Sequence, residues 1–131
     1  MNRLYRYAFD DDAHDVSRPS DAYARRTLGD PRTIALLAEQ GNRVVGALTA
    51  YFLPKLEQER SEIYLYDLAV DEVFRRRGIA SLLIDTLRKV AREGDCWMIF
   101  VQADRVDDAA IALYEKVGLG REEPLHFDIR P

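Results

Sequence analysis

Three arginines and a glycine, Arg75-Arg76-Arg77-Gly78, stand between an apolar run ending at Val70 and a second beginning at Ile79. If the first run is a strand and the second a helix, Gly78 sits at the helix start. There the first main-chain N–H groups lack partners within the helix, and the helix dipole is positive. Such a start is an anion site suited to phosphate. Gly78 leaves room for close approach, Ala80 keeps the next turn small, and the arginines add charge at the same point. A solvated basic turn is the competing reading, and the pattern by itself leaves both open.

The elements that must hold this turn follow from apolar spacing. Leu4, Tyr5, Ala8 and Phe9 share one helical face, and Ser20 or Asp21 can cap a short helix through Leu28. The stretch RTIALLAEQ reads as a strand, Gly41-Asn42 as a tight turn, and RVVGALTAYFL as the antiparallel partner, ended by Pro54. SEIYLYDLAV, rich in aromatic and branched residues, is a third strand that alternates imperfectly. Ile79, Leu82, Leu83, Leu87, Val90 and Ala91 then fall three and four apart, an amphipathic helix that Gly94 can end. CWMIFVQA is a continuous apolar run, expected to be a strand buried on both faces. DDAAIALYEKVGLG is a second such helix, with Asp107 or Asp108 as cap and Gly118 as stop, and PLHFDI is expected as a last short strand. The order predicts an α/β fold with a mixed central sheet.

At 131 residues, 47% hydrophobic and 32% charged, the chain is expected to form a single domain over 1–131. No apolar run approaches the ~20 residues a bilayer requires. The first residues lack the apolar centre of a secretory signal, and the lone Cys96 cannot build a disulfide framework. The expectation is a cytoplasmic protein without a membrane partner. A net charge of -4 gives no general basic face, which argues against sequence-independent nucleic-acid binding and fits a cationic partner. Acid gathers at Asp10–Asp12 with Asp15, at Glu57, Glu59 and Glu62, at Asp104, Asp107 and Asp108, and at Glu122 and Glu123. Cys96 reads as a small apolar residue, Trp97 as core or interface, and His14 and His126 lack a metal-ligand constellation.

RRRGIA resembles the Arg/Gln-x-x-Gly-x-Gly/Ala signature of the GNAT N-acetyltransferases, in which that turn holds the pyrophosphate of acetyl-CoA. LYDLAV is similar to the central strand of that family and AIALYEKVGL to its late, tyrosine-bearing helix. GALTAYFLPKLEQERSEIYLYDLAV, IFVQAD, DDAAIALYEKVGL and LHFDI resemble one branch more closely, the aminoglycoside 3-N-acetyltransferases of type I. The resemblance runs from Asp21 to Ile129. It implies a GNAT fold with helices on both faces of the sheet. The family usually has an extra strand before the first helix, and here that N-terminal strand is expected to be missing. Acid at Asp107, where the wider superfamily often has asparagine, matches the type I branch.

Acetyl transfer from a thioester to an amine needs a held donor, a neutral nucleophile, a stabilised oxyanion and a protonated leaving thiolate. The resemblance places the pyrophosphate on the N–H groups from Arg76 through Arg77, Gly78, Ile79 and Ala80, with charge from Arg75 and its neighbours. It sets the pantetheine amides against the backbone of Leu68, Ala69 and Val70, as an added strand would lie, and puts Asp107 beside the cofactor. It makes Tyr114 the acid for the thiolate; spacing alone reads Tyr114 as core. An ammonium cannot attack, so a base is needed. Asp67, alternating away from Leu68, and Asp104, after IFVQA, are the candidates, with Asp67 ahead; each could instead only attract a cation. Glu122, Glu123 and Asp128, with Asp107, are possible contacts for acceptor ammonium groups, or surface charges. The implied activity is transfer of acetyl to the 3-amine of an aminoglycoside antibiotic, in a direct attack and as a homodimer. A polyamine, another small amine or a protein lysine is the alternative acceptor. A non-catalytic acyl-CoA sensor is the alternative class.

Overall fold

Ser20 opens the first helix of the structure, a computed structural model that describes residues 19–131. Its hydroxyl accepts from the Tyr23 N–H at 3.2 Å, and helix α1 runs Asp21–Gly29. Four strands follow: β1 Thr33–Gln40, β2 Arg43–Pro54, β3 Ser61–Val70 and, after a helix, β4 Cys96–Val101. Helix α2 is Ile79–Glu93, and α3 is Asp108–Val117, capped by the Asp107 side chain. This is a GNAT fold. The expected helix over Leu4–Phe9, and the question of a preceding strand, lie outside the described residues. No helix among those residues is long and apolar enough to cross a membrane.

The sheet order is β1-β2-β3-β4, antiparallel except for the parallel β3–β4 pair that the crossover through α2 creates. Leu48 and Ala50 of β2 and Ile63 and Leu65 of β3 pack with Leu83, Ile84, Leu87 and Ala91 of α2 into the core. Leu113, Tyr114 and Val117 of α3 lie against the same cluster. Tyr51, between Ala50 and Phe52, takes the opposite face, where Tyr23 of α1 comes within electrostatic reach. Gly46 of β2 sets how close α2 can come: a Cβ there would stand 2.8 Å from Ile79 Cγ2 and 3.2 Å from Leu83 Cδ1. A side chain at position 46 would push the first turn of α2 off the sheet.

Two sequence expectations need correction. The CWMIFVQA run is not buried on both faces. It forms the edge strand β4, bonded among the described residues to β3 alone, and Trp97 and Phe100 are exposed. A continuous apolar run marks burial on both faces only where other elements cover both faces of the sheet. PLHFDI is not a strand either. Residues 119–131 carry no regular structure, and Leu125, Phe127 and Ile129 face solvent. Strand propensity needs a ladder partner, which that segment lacks among the described residues.

Candidate active site

The imperfect alternation of β3 has a structural cause. Thr49 pairs with Asp67 and Ala50 with Leu65, so Tyr66 is an extra residue in the ladder. A bulge of this kind bends a strand and re-aims its side chains. Pairing of β3 with β4 ends at Leu65 and Val101, just where the bulge begins. The stretch Tyr66–Val70 therefore leaves β4 and opens a cleft between the two strands. Leu68, Ala69 and Val70 lie along that opening with β2 on their other side.

The chain then turns through Glu72–Phe74, a single 3-10 turn. The Asp71 side chain caps it by accepting from Val73 N–H at 3.1 Å, and it also pairs with Arg43. Arg76 and Gly78 both take the left-handed conformation, at φ 60° and 77°. At Gly78 this conformation favours glycine through the backbone alone, since a Cβ there would meet only open space. No side chain caps the α2 N-terminus. Turns with left-handed residues of this kind can direct successive N–H groups to one side, an anion-binding concavity. The turn thus fits a pyrophosphate: its helix start is uncapped, Gly78 leaves open space, and Arg75, Arg76 and Arg77 belong to it. Arg75 is partly committed, since its Nε donates to the Val70 carbonyl at 3.3 Å. Arg77 lies over the Phe74 ring at 5.2 Å.

Asp67 is the electrostatic centre of the cleft. Burial raises its carboxyl above the ordinary value, and its charge in turn acts on Tyr51, Tyr64 and Tyr114. Tyr114, half-buried on α3, is pushed up to about 12, first by burial and then by the charges of Asp107 and Asp67. The fold thus brings Asp67 of β3 and Asp107, at the start of α3, each within electrostatic reach of Tyr114. Asp107 also has a structural task, since its Oδ1 accepts from the Ala110 N–H at 2.9 Å at the start of α3.

The other expected acids stand differently. Asp104 is exposed in the loop after β4, and its carbonyl accepts from the Asp107 N–H. Glu123 is held by Arg105 at 3.6 Å and Arg121 at 3.3 Å; Asp128 pairs with His126 at 3.1 Å; Glu122 is exposed. Glu57 and Glu62 are engaged by Lys55, and Glu62 by Arg60 as well. Cys96 is half-buried, with its Sγ 3.2 Å from the Met98 carbonyl, and burial raises its thiol.

A row of four aromatic rings beside Asp67 goes unexpected from the sequence. Tyr51 meets Tyr66 edge-on at 6.0 Å, Tyr66 meets Tyr64 at 5.2 Å, and Tyr64 stacks on Phe100 at 4.8 Å and 9°. The Tyr64 hydroxyl donates to Gln102 Oε1 at 2.8 Å. The one available signal was the pair of tyrosines flanking Leu65 in β3, whose meeting with Tyr51 and Phe100 depends on sheet register. The row offers ring faces and hydroxyls next to a half-buried carboxyl, a surface suited to a cationic, polyhydroxylated ligand.

Comparison with known proteins agrees with this architecture. The family model of the GNAT acetyltransferases matches residues 1–119. An aminoglycoside acetyltransferase, HMB0005, from an uncultured soil metagenomic sample is 49% identical, with a TM-score of 0.91 over 98% of this chain and 86% of that one. A second from such a sample, meta-AAC0020, in complex with sisomicin, is 30% identical with a TM-score of 0.94, over 100% and 86%. N-alpha-acetyltransferase 30 of Xenopus laevis is 30% identical over 85% of this chain and 41% of that protein. The chain thus spans less than half the length of that curated relative.

Proposed function

Because the chain belongs to the GNAT acetyltransferase family, we propose that it acetylates the 3-amine of aminoglycoside antibiotics and so inactivates them. Acetyl-CoA is the donor, and its thioester supplies the acyl carbon. The N–H groups of the Arg76–Ala80 turn hold its pyrophosphate, and Arg75–Arg77 offset the charge. The main chain of Leu68, Ala69 and Val70 binds the pantetheine arm along the cleft.

Asp67 takes the proton from the acceptor ammonium. Its burial makes it a better base than an exposed aspartate, since a raised carboxyl holds a proton more strongly. Tyr114 keeps its proton far above neutral pH and delivers it to the departing thiolate. Tyr51, Tyr64, Tyr66 and Phe100 form the wall on which the acceptor rings rest. Asp104, Glu122, Glu123 and Asp128 contribute at most a general attraction for cations, since Asp104 and Glu122 are exposed and Glu123 and Asp128 are already paired. The observation that carries the reading is this meeting of a half-buried carboxyl, a high-pKa tyrosine and an aromatic wall where β3 parts from β4. The two aminoglycoside acetyltransferases similar over nearly the whole chain support the acceptor class.

A peptide amine is the second reading, favoured by the likeness to N-alpha-acetyltransferase 30. The deciding assay follows free-thiol release from acetyl-CoA with gentamicin, spermidine, a lysine peptide and a peptide with a free N-terminus. Gentamicin turnover, with the product modified at N3, is expected. Turnover of a peptide or of spermidine alone would overturn the proposed acceptor.

A further inference from the structure

Arg43, the first residue of β2, stands 28 positions before Asp71, yet its side chain reaches the segment that carries the arginine-glycine turn. Its Nη2 donates to Asp71 Oδ2, and its guanidinium stands over the Phe74 ring at 5.3 Å. Asp71 is the residue on which that segment swings out of the sheet. Its N–H donates to the Val45 carbonyl at 2.9 Å, its Oδ1 caps the 3-10 turn, and its carbonyl accepts from the Phe74 N–H at 2.8 Å. The bond from Arg43 is the main reason the Asp71 carboxyl lies below its ordinary value. The Asp71 side chain is only 18% exposed, so water screens this pair less than an open surface pair.

Phe74 extends the fastening to the turn itself. The ring is half-buried but lies outside the core cluster, and Arg77 stands over it at 5.2 Å. Two guanidinium groups from distant parts of the chain thus share one ring, and Arg77 is the residue immediately before Gly78. A planar guanidinium resting on an aromatic ring is oriented in advance, which reduces the ordering cost of a later hydrogen bond to an anion.

We propose that Arg43 is a positioning residue for the acetyl-CoA donor: through Asp71 and Phe74 it fixes residues 71–78, Arg77 among them, to β2 before the pyrophosphate arrives. The inference rests on the reading of this turn as the pyrophosphate site. The turn has need of such a fastening. Val73 and residues 75–78 are exposed, Arg76 and Gly78 are left-handed, and no side chain caps α2. A left-handed conformation at a residue other than glycine, as at Arg76, persists only where the surroundings impose it. Arg75 supplies a second tie through the Val70 carbonyl. A turn released from both would lose affinity to its own ordering.

The sign of one substitution separates positioning from plain charge attraction. Asp71→Asn removes a negative charge that acts on Arg75, so electrostatics alone predicts tighter CoA binding. The amide oxygen can still accept from the Val73 N–H, whereas the charge-assisted bond to Arg43 is gone. Positioning therefore predicts weaker binding, with Kd raised roughly 3- to 10-fold as a charged hydrogen bond becomes a neutral one. Arg43→Ala is expected to raise Kd roughly 10-fold or more, and Arg43→Lys to recover only part, because lysine keeps the charge without the planar fork. Calorimetric titration with CoA reads each Kd, and thermal melting checks that each variant is folded at the titration temperature. Initial rates should place the loss in the KM for acetyl-CoA rather than in kcat. Gly78→Val, strained at φ 77°, tests the turn itself. If that variant binds CoA as the parent does, the turn is not the donor site, and the inference falls with that reading. If it binds weakly while Asp71→Asn binds CoA as well as the parent or better, the turn stands and the role of Arg43 is refuted. An Arg43→Lys protein with the parent's Kd would refute it too, by reducing Arg43 to a general attraction for the donor.

Discussion

Substituting Gly46 with alanine tests whether the packing of α2 on β2 positions the anion-binding turn. The added Cβ would lie 2.8 Å from Ile79 Cγ2, whereas unstrained carbon pairs sit about 3.5–4.0 Å apart. Relieving that overlap moves the first turn of α2 outward by about 0.7–1.2 Å, or forces Ile79 off its rotamer. Overpacking of this kind costs about 1–3 kcal/mol. At ~4 °C per kcal/mol the melting temperature falls by roughly 4–12 °C. Ile79 is also the first residue of α2, so its N–H moves with the turn. A displacement near 1 Å at a positioning element can cost up to about 100-fold in rate. Calorimetric titration with CoA, thermal melting and turnover would be measured together. The expected result is weaker CoA binding and lower turnover at 46, with partial recovery when Ile79→Ala removes the clashing methyl group. A Gly46→Ala protein that melts within a degree of the parent and binds CoA equally well would refute the idea that this contact seats the turn.

Tyr114→Phe should lower turnover by about 100-fold, the usual scale for a lost general acid, with CoA affinity changed little. With Tyr114 held up to about 12, the parent's turnover should show no alkaline loss from this group between pH 7 and 9, which a pH–rate profile checks. Asp67→Asn should lower turnover at every pH and change the pH dependence of stability in a definite direction. The folded state binds the Asp67 proton more tightly than the unfolded chain does. That contribution is therefore complete below the ordinary value of 3.8 and is lost as pH rises through the folded value. Above that window the variant should gain stability relative to the parent, as urea melts at pH 3 and pH 7 would reveal; an unchanged difference would contradict the burial argument.

Signals that act within a few residues were legible in the chain. Ser20 and Asp107 cap their helices from the positions that cap chemistry expects, Gly41-Asn42 closes the β1–β2 turn, and apolar spacing outlines α2 and α3. The arginine-glycine turn was visible for the same reason, because a left-handed residue before a helix is a local demand on residue type. The edge position of β4 and the unpaired tail were not visible, because an apolar run reads alike whether one neighbour or two will flank it. The cleft itself was decided only by tertiary structure. The Tyr66 bulge exists because β2 and β3 meet in one register, and the gap opens because β3–β4 pairing stops at Val101. The bulge sets where Asp67 points, which rings join it, and that Tyr114 comes within reach of its charge. Those partners lie on different strands and helices, so no local propensity could encode their meeting; strand register and helix packing had to bring them together.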